Sequence, residues 1–153
     1  MENSFTIKNF RVFDEKGTTF NFKPITLLTG TNSSGKSSLT KAVVLMHDFF
    51  SSGSDSKFDP ASCPLNFAQN NLKLGGFKTE KNRLSKNKEI VFSYSVSPIC
   101  AENLVFNVEY SFVKASNDSS FSLYDNGALS RIVVRFDNKA FIKAYVYWGA
   151  GEP

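Results

Sequence analysis

Eight consecutive residues, 30–37, have the composition of a loop that binds phosphate. The segment reads GTNSSGKS from Gly30 to Ser37 and matches the pattern G-x-x-x-x-G-K-[ST]. The glycines permit a tight curl in which successive backbone N–H groups point at phosphate oxygens. In such loops the lysine, here Lys36, reaches the β- and γ-phosphates, and the hydroxyl of Ser37 can coordinate Mg²⁺. The spacing therefore predicts a site for a nucleoside triphosphate with magnesium.

The residues around this loop predict the elements that must position it. Residues 25–29, ITLLT, form a mostly apolar run without alternation, which predicts a strand covered on both faces in a parallel sheet. A helix is expected from Lys36, because apolar residues then recur at helical spacing on one stripe: Leu39, Ala42, Val43, Met46, Phe49 and Phe50. Upstream, residues 5–13 and 18–22 flank a turn signal at 14–17 and predict a β-hairpin.

The second half of the chain predicts an antiparallel sheet. Apolar and polar residues alternate in 90–96 and 103–113, and segments 120–124, 128–136 and 139–147 continue the pattern between Asn-, Asp- and Gly-containing connectors. In 103–113, polar residues such as Glu109 and Ser111 share the face opposite the apolar one. The predicted fold class is α+β or α/β: a P-loop NTPase lobe with an N-terminal β-hairpin, a P-loop strand and helix, and a C-terminal antiparallel β-meander.

Length and composition fit one compact domain over 1–153, which we take as a single nucleotide-binding lobe. We divide it into residues 5–50 with the hairpin and P-loop, 51–88 as a polar and basic lid-like region, and 89–148 as the β-subdomain. The net charge is +4, and two cysteines without a CxxC spacing and one histidine give no metal-finger pattern. Neither an apolar leader nor a run of membrane-spanning length occurs, so a cytoplasmic protein without membrane contact is expected.

Three short patterns and two single residues resemble functional motifs of P-loop proteins. The DxxG form at 14–17 precedes the P-loop, which is the wrong chain order for a GTPase. NKEI at 87–90 lacks the Asp of a motif that reads guanine, and both observations disfavour a GTPase. Residues 132–137, IVVRFD, resemble a Walker B strand, but Arg135 interrupts the apolar run and a hairpin strand is the favoured interpretation. His47 is expected to be structural or at the surface. Gln69 is expected to be a polar loop residue rather than a ligand toward Mg²⁺.

The chain also resembles a known group of ATPases over residues 5–96. The stretches FTIKNFRVF (5–13), FKPITLLTG (22–30) and TNSSGKSSL (31–39) are similar to the start of ABC-class ATPases of the RecF, SMC and OLD group. The stretches LKLGGF (72–77) and KEIVFSY (88–94) add to the likeness. This resemblance implies ATP-driven head dimerisation and hydrolysis. It also implies that the phosphates are wrapped by Gly30, Asn32, Ser33, Ser34, Gly35, Lys36, Ser37 and Ser38.

The same resemblance places the segment Asn9-Phe10-Arg11 near the base or the phosphates. Within it Arg11 is the expected contact, with a solvated strand residue as the equal alternative. Several of the group's motifs have no match: there is no Walker B Asp-Glu pair, Leu-Ser-Gly-Gly signature or switch histidine. We therefore expect a first lobe without its second, as a fragment or as one half of a split protein. Such a lobe binds ATP and Mg²⁺ but hydrolyses ATP only with its partner lobe, in a homodimer of heads, in DNA maintenance or phage defence.

Two other functions stay open from the sequence: a small P-loop metabolite kinase, and a non-hydrolytic module in which ATP gates assembly. Against the kinase, the 51–64 loop contains no Arg that could serve as a lid residue. A basic stretch could contact DNA or could be a solvated loop. Its cations are Lys73, Lys78, Lys81, Arg83, Lys86 and Lys88, against Glu80 alone.

Overall fold

The computed structural model describes residues 3–32, 34–52, 64–68, 74–97, 104–115, 125–136 and 139–145. Its strands are β1 (Asn3–Lys8), β2 (Thr18–Phe22), β3 (Ile90–Val96), β4 (Phe106–Lys114), β5 (Gly127–Phe136) and β6 (Lys139–Tyr145). Its helices are α1 (Lys36–Ser51) and the single turn α2 (Phe77–Glu80). The P-loop helix, the N-terminal hairpin and four of the five predicted later strands are thus confirmed. The predicted strand at 120–124 lies outside the described residues.

All six strands belong to one antiparallel sheet with the order β2-β1-β3-β4-β5-β6. The hairpin of β1 and β2 pairs Phe5 with Phe20, and the meander from β3 to β6 is antiparallel throughout. β1 also pairs with β3, with Ile7 opposite Phe92. The N-terminal hairpin and the C-terminal meander therefore form one continuous layer, because β1 pairs with β2 along one edge and with β3 along the other.

Helix α1 packs on one face of this sheet through aromatic side chains. The ring of Phe49 lies 5.1 Å from that of Phe112 on β4. The buried residues of the helix are Ser38, Leu39, Ala42, Leu45, Met46, Asp48 and Phe49. Two members of the predicted stripe, Val43 and Phe50, are 41% and 37% exposed, so the buried face is rotated toward Leu45. The spacing of three and four residues is satisfied equally well by Leu45, which the predicted stripe omitted.

Parts of the region 51–88 contribute to the same core. Leu65, Phe67, Leu74 and Phe77 are buried in the main hydrophobic cluster. The backbone of Leu65 exchanges two hydrogen bonds with Gly127 at the start of β5, at 2.8 and 3.0 Å. The chain after α1 therefore returns to the edge of the helix–sheet interface, and it brings α2 and the residues after it close to the N-terminal hairpin.

The polar face of β4 is covered by cations. Glu109 and Ser111 are buried, and the Glu109 carboxylate lies 3.1 Å from Arg131, 3.5 Å from Arg135 and 4.0 Å from Lys8. The long stems of these basic side chains shield the carboxylate from water. The alternation of residue types correctly assigned Glu109 and Ser111 to the polar face of β4. Their burial, however, depends on side chains from β1 and β5.

The expected strand before the P-loop does not form. Residues 25–29 have no strand pairing, and Ile25, Leu27 and Leu28 are 83%, 85% and 44% exposed. The prediction of a strand covered on both faces is therefore wrong for this structure. A strand needs a neighbouring strand to satisfy its backbone and a second layer to cover its side chains, and the six described strands supply neither at this position.

Candidate nucleotide-binding site

The amino end of α1 is open for an anion. Gly35 precedes the helix with φ 98°, and its carbonyl accepts the first helical bond from the N–H of Leu39 at 2.8 Å. No side chain caps this end, and no acidic residue lies in the first turn. The first N–H groups of a helix have no partner within the helix and carry the positive end of its dipole. This end is therefore suited to bind a phosphate group.

The side chain of Lys36 folds back and bonds to the backbone at the start of the loop. Its ammonium Nζ donates hydrogen bonds to the carbonyl oxygens of Gly30 and Thr31, at 2.7 and 2.6 Å. It also lies 3.3 Å from the hydroxyl oxygen of Ser34. Gly30 has φ 141°, a conformation that favours glycine. The loop thus curls around the ammonium group, which stands beside the free N–H groups of the helix.

The remaining predicted phosphate contacts differ in their exposure. Asn32, Ser34 and Ser37 are exposed, so their side chains are accessible to a ligand and, for Ser37, to a metal ion. Ser38 is buried on the core side of α1. Ser33 lies outside the described residues. The structure therefore brings Gly30, Asn32, Ser34, Gly35, Lys36 and Ser37 together around one loop, with Ser38 behind it.

A segment far upstream in sequence forms a wall of the P-loop. A methyl group built on Gly35 would lie 3.2 Å from two ring carbons of Phe13 and 3.2 Å from a methyl carbon of Val12. Residues 9–13 therefore pack directly against the last glycine of the loop. One signal of this contact was available before the structure, the likeness of residues 5–13 to the ATPase group; periodicity alone did not indicate it.

Arg11 belongs to this wall but its guanidinium is engaged. Its Nη1 donates to the Glu80 carboxylate at 2.7 Å, and its backbone N–H donates to the Glu80 carbonyl at 2.7 Å. Arg11 also has φ 52°, a left-handed conformation that is uncommon outside glycine. The residue lines a cavity of about 550 Å³ together with Val12, Thr79 and Leu84. Arg11 is therefore a fixed, ion-paired wall residue one position from a P-loop contact.

Two asparagines hold the wall in place: Asn9, which belongs to the segment placed near the nucleotide by the resemblance, and Asn82, which the sequence analysis did not name. Asn9 is 1% exposed with φ 59°, and its amide Nδ2 donates to the carbonyl oxygens of Asn87, at 3.0 Å, and of Glu89. Asn82 donates through Nδ2 to the carbonyl of Arg11 at 2.8 Å. These bonds tie residues 9–13 to residues 80–89. A polar residue between buried Ile7 and Phe10 was the available signal.

Three residues have pKa values that their surroundings shift, one beside the hairpin turn and two under the C-terminal end of α1. The hydroxyl of Ser85 and then the backbone N–H of Asn87 donate to the Glu15 carboxylate and lower its pKa. Burial raises the pKa of Tyr94 far above its ordinary value, with a smaller contribution from the neighbouring Tyr110. Burial also raises the pKa of Tyr110. The first shift marks a bond that joins the β1–β2 turn to the loop after α2; the other two report packing beneath α1.

The positions of the other motif-like residues in the structure decide between their interpretations. The side chain of His47 is 75% exposed and lies 3.3 Å from the Asp48 carboxylate on α1, so the surface interpretation is confirmed. Residues 132–136 are in β5, which pairs with β6 as a hairpin, as predicted. Gln69 and Asp137 lie outside the described residues. In the described part of the chain, no helix is both long and apolar enough to span a bilayer.

An uncapped helix end, a lysine that bonds across its own loop, and the wall of residues 9–13 are features expected of a P-loop nucleotide-binding protein. A family model described as AAA ATPase domain matches residues 1–150, and the chain belongs to that family. A search of curated proteins finds no match. Family membership supports nucleotide binding with an ATPase-like function, and ATP, usually with Mg²⁺, is the ligand that it implies. The finer RecF, SMC and OLD grouping is not confirmed by the match.

Proposed function

We propose that this chain is the ATP- and Mg²⁺-binding lobe of an ABC-class ATPase of the RecF, SMC and OLD group. In this proposal the chain acts in DNA maintenance or phage defence. It hydrolyses ATP only when a second lobe joins it and two heads dimerise. The P-loop geometry supports phosphate binding, and the family match supports an ATPase. The requirement for further protein rests on a separate observation.

That observation is the bare segment directly before the P-loop. Ile25 and Leu27 are 83% and 85% exposed, although a P-loop normally follows a strand of a sheet. Covering two such side chains is worth about 3–6 kcal/mol, since full burial of each contributes about 1.5–3 kcal/mol. A second lobe that pairs with residues 25–29 would gain this energy and fix the start of the loop at the same time.

The metal and the catalytic base also require further groups. Ser37 would supply one oxygen to Mg²⁺, and the phosphates, waters and a carboxylate would supply the others. Among the described residues, no three His, Cys, Asp or Glu side chains cluster to bind a metal. In this proposal the partner lobe contributes the carboxylate that binds Mg²⁺ and the base that orients water.

The alternatives differ in measurable ways. A metabolite kinase is disfavoured because the described sheet is antiparallel throughout, whereas such kinases have a parallel sheet. A non-hydrolytic assembly module has the same P-loop geometry. Phosphate release, measured with and without a candidate second-lobe chain, separates the ATPase from the assembly module. Release only after mixing supports the ATPase, and no release in either case supports the module.

Calorimetric titration of ATP with Mg²⁺ tests the site itself. Wild type should give binding heat, and Lys36→Ala should lose it, because the alanine removes the ammonium that reaches the phosphates. Lys41→Ala is a matched control, since Lys41 is on the same helix five residues further along. Equal heats for wild type and Lys36→Ala, or no heat in either protein, would reject the proposal.

A further inference from the structure

A cavity lies on the wall that residues 9–13 form beside the P-loop. Residues 11–12 and 79–84 line it, and its volume is about 550 Å³, within the range of pockets that bind small molecules. We call this cavity the wall pocket. Val12 belongs both to the wall pocket and to the loop contact, because its methyl carbon lies 3.2 Å from the Cβ position of Gly35. A single side chain therefore separates the wall pocket from the P-loop.

The P-loop itself supplies contacts for phosphates and a metal ion. Its binding groups are the N–H groups at the start of α1, the ammonium of Lys36 and the hydroxyl of Ser37. The ribose and the base of a bound nucleotide must therefore contact residues outside the loop. The wall pocket adjoins the loop and has the volume for a nucleoside.

Two exposed apolar side chains line the wall pocket. Val12 is 53% exposed and Leu84 is 94% exposed. Each exposure is ordinary by itself, but both side chains border one cavity that Arg11 also lines. Apolar groups can cover the faces of a planar base, and an arginine guanidinium can stack on it. The lining of the wall pocket therefore suits the flat rings of a base.

The buried polar side chains of the wall pocket already bond within the wall. Glu80 and Asn82 are 5% and 7% exposed. The Glu80 carboxylate accepts a hydrogen bond from Arg11 at 2.7 Å. Asn82 donates to the Arg11 carbonyl at 2.8 Å and accepts the N–H of Leu84 at 3.0 Å. The ammonium of Lys81 donates to two carbonyls further along the chain, at 3.1 and 2.8 Å. These side chains therefore fix the shape of the wall.

The other polar side chains of the wall pocket, Thr79 and Arg83, are exposed. A threonine hydroxyl both donates and accepts, so it can bond to either purine. A guanidinium only donates, and adenine and guanine both present the N7 acceptor. A site rejects the wrong ligand strongly when that ligand leaves buried polar groups unpaired. Because the buried polar groups here bond to the wall, either purine leaves them paired.

We propose that the wall pocket binds the ribose and base of the nucleotide, and that it accepts adenine and guanine with similar affinity. The inference deepens the proposed function and rests on it, because the P-loop must hold the phosphates before the wall pocket can receive the base. ATP is then one of two purine triphosphates that the site binds. Contact with Val12, Leu84 and Arg11 supplies affinity for the base without reading its hydrogen-bonding edge.

Calorimetric titration of the full chain with three Mg²⁺-bound ligands tests the proposal. The ligands are ATP, GTP and inorganic tripolyphosphate, which carries the phosphates without a nucleoside. ATP and GTP should bind within about fivefold of each other. Each should bind at least about tenfold more tightly than tripolyphosphate, because the base covers apolar surface in the wall pocket.

Substitutions separate the wall pocket from the phosphate site. Leu84→Ala should weaken ATP and GTP binding by about three- to tenfold and leave tripolyphosphate binding unchanged, because it removes only a contact to the base. Ile142→Ala is the matched control, since Ile142 is 50% exposed on the edge strand β6, and it should bind all three ligands like wild type. Lys36→Ala should weaken the binding of all three.

Three results would overturn the proposal: ATP binding no tighter than tripolyphosphate binding, equal ATP affinities for Leu84→Ala and Ile142→Ala, or a difference of more than about fivefold between ATP and GTP. If tripolyphosphate binds and the nucleoside adds nothing, the wall pocket is rejected while the P-loop site stands. If none of the three ligands binds, the proposed function is rejected together with the wall pocket.

Discussion

Replacing Gly35 with alanine should destabilise the fold and damage the nucleotide site together. Gly35 has φ 98°, and an added methyl group would lie 3.2 Å from ring carbons of Phe13 and from a methyl carbon of Val12. A left-handed conformation costs a non-glycine residue about 1–2 kcal/mol. Crowding against Phe13, which is 6% exposed in the core, adds about 1 kcal/mol or more. We expect a total loss of about 2–3 kcal/mol.

Urea unfolding measures the loss of stability, thermal unfolding measures the corresponding fall in Tm, and ATP calorimetry measures the loss of affinity. A loss of this size lowers Tm by about 4–12 °C, since each kcal/mol corresponds to about 2–4 °C in a chain of this length. ATP affinity should fall at least about tenfold, which corresponds to about 1.4 kcal/mol, because the wall moves relative to the first turn of α1. Adding Val12→Ala should recover part of the stability, since it removes one of the crowded contacts.

Gly75→Ala is the control for this substitution. Its added methyl group would also approach a side chain at 3.2 Å, that of Thr79, but Gly75 does not have a positive φ. We expect it to change stability by less than about 1 kcal/mol. Gly35→Ala with wild-type stability and wild-type ATP affinity would refute both the left-handed requirement and the wall contact.

Three further predictions concern packing and titration. Asn9→Ala should cost about 2–4 kcal/mol in urea unfolding, because it removes the side-chain bond to the Glu89 carbonyl and one of two bonds to the Asn87 carbonyl, and it places alanine at φ 59°. Asn9→Gly should cost less, since glycine tolerates φ 59°, and equal losses would contradict this. Phe49→Ala should cost about 3–5 kcal/mol by the same method, as a cavity in the core; a loss below about 1 kcal/mol would place Phe49 outside it. Burial raises the pKa of Tyr94, so the folded state favours the neutral phenol; the stability that this contributes is complete below pH 10.0 and is lost as pH rises above that value. Tyr94→Phe should therefore make the free energy of unfolding depend less on pH between about pH 10 and 12. An unchanged dependence on pH would contradict the burial of Tyr94.

Local pattern was enough for the elements and the loop chemistry. The start of helical spacing at Lys36 located α1, and alternating residues located β3 to β6, because periodicity reports which side of an element is buried. The motif from Gly30 to Ser37 predicted a phosphate site because its chemistry is backbone N–H groups, one ammonium and one hydroxyl within eight residues. None of these inferences required a distant contact.

The tertiary structure decided everything that depends on residues far apart in the chain. The insertion of β1 beside β3 joined the two halves into one sheet, and the contact of Val12 and Phe13 with Gly35 gave the P-loop its wall. The structure also left residues 25–29 bare where a buried strand was predicted. The physical reason is the same in each case. Apolar residues make the burial of a segment favourable, but only the elements that the rest of the chain packs against it determine whether it is buried.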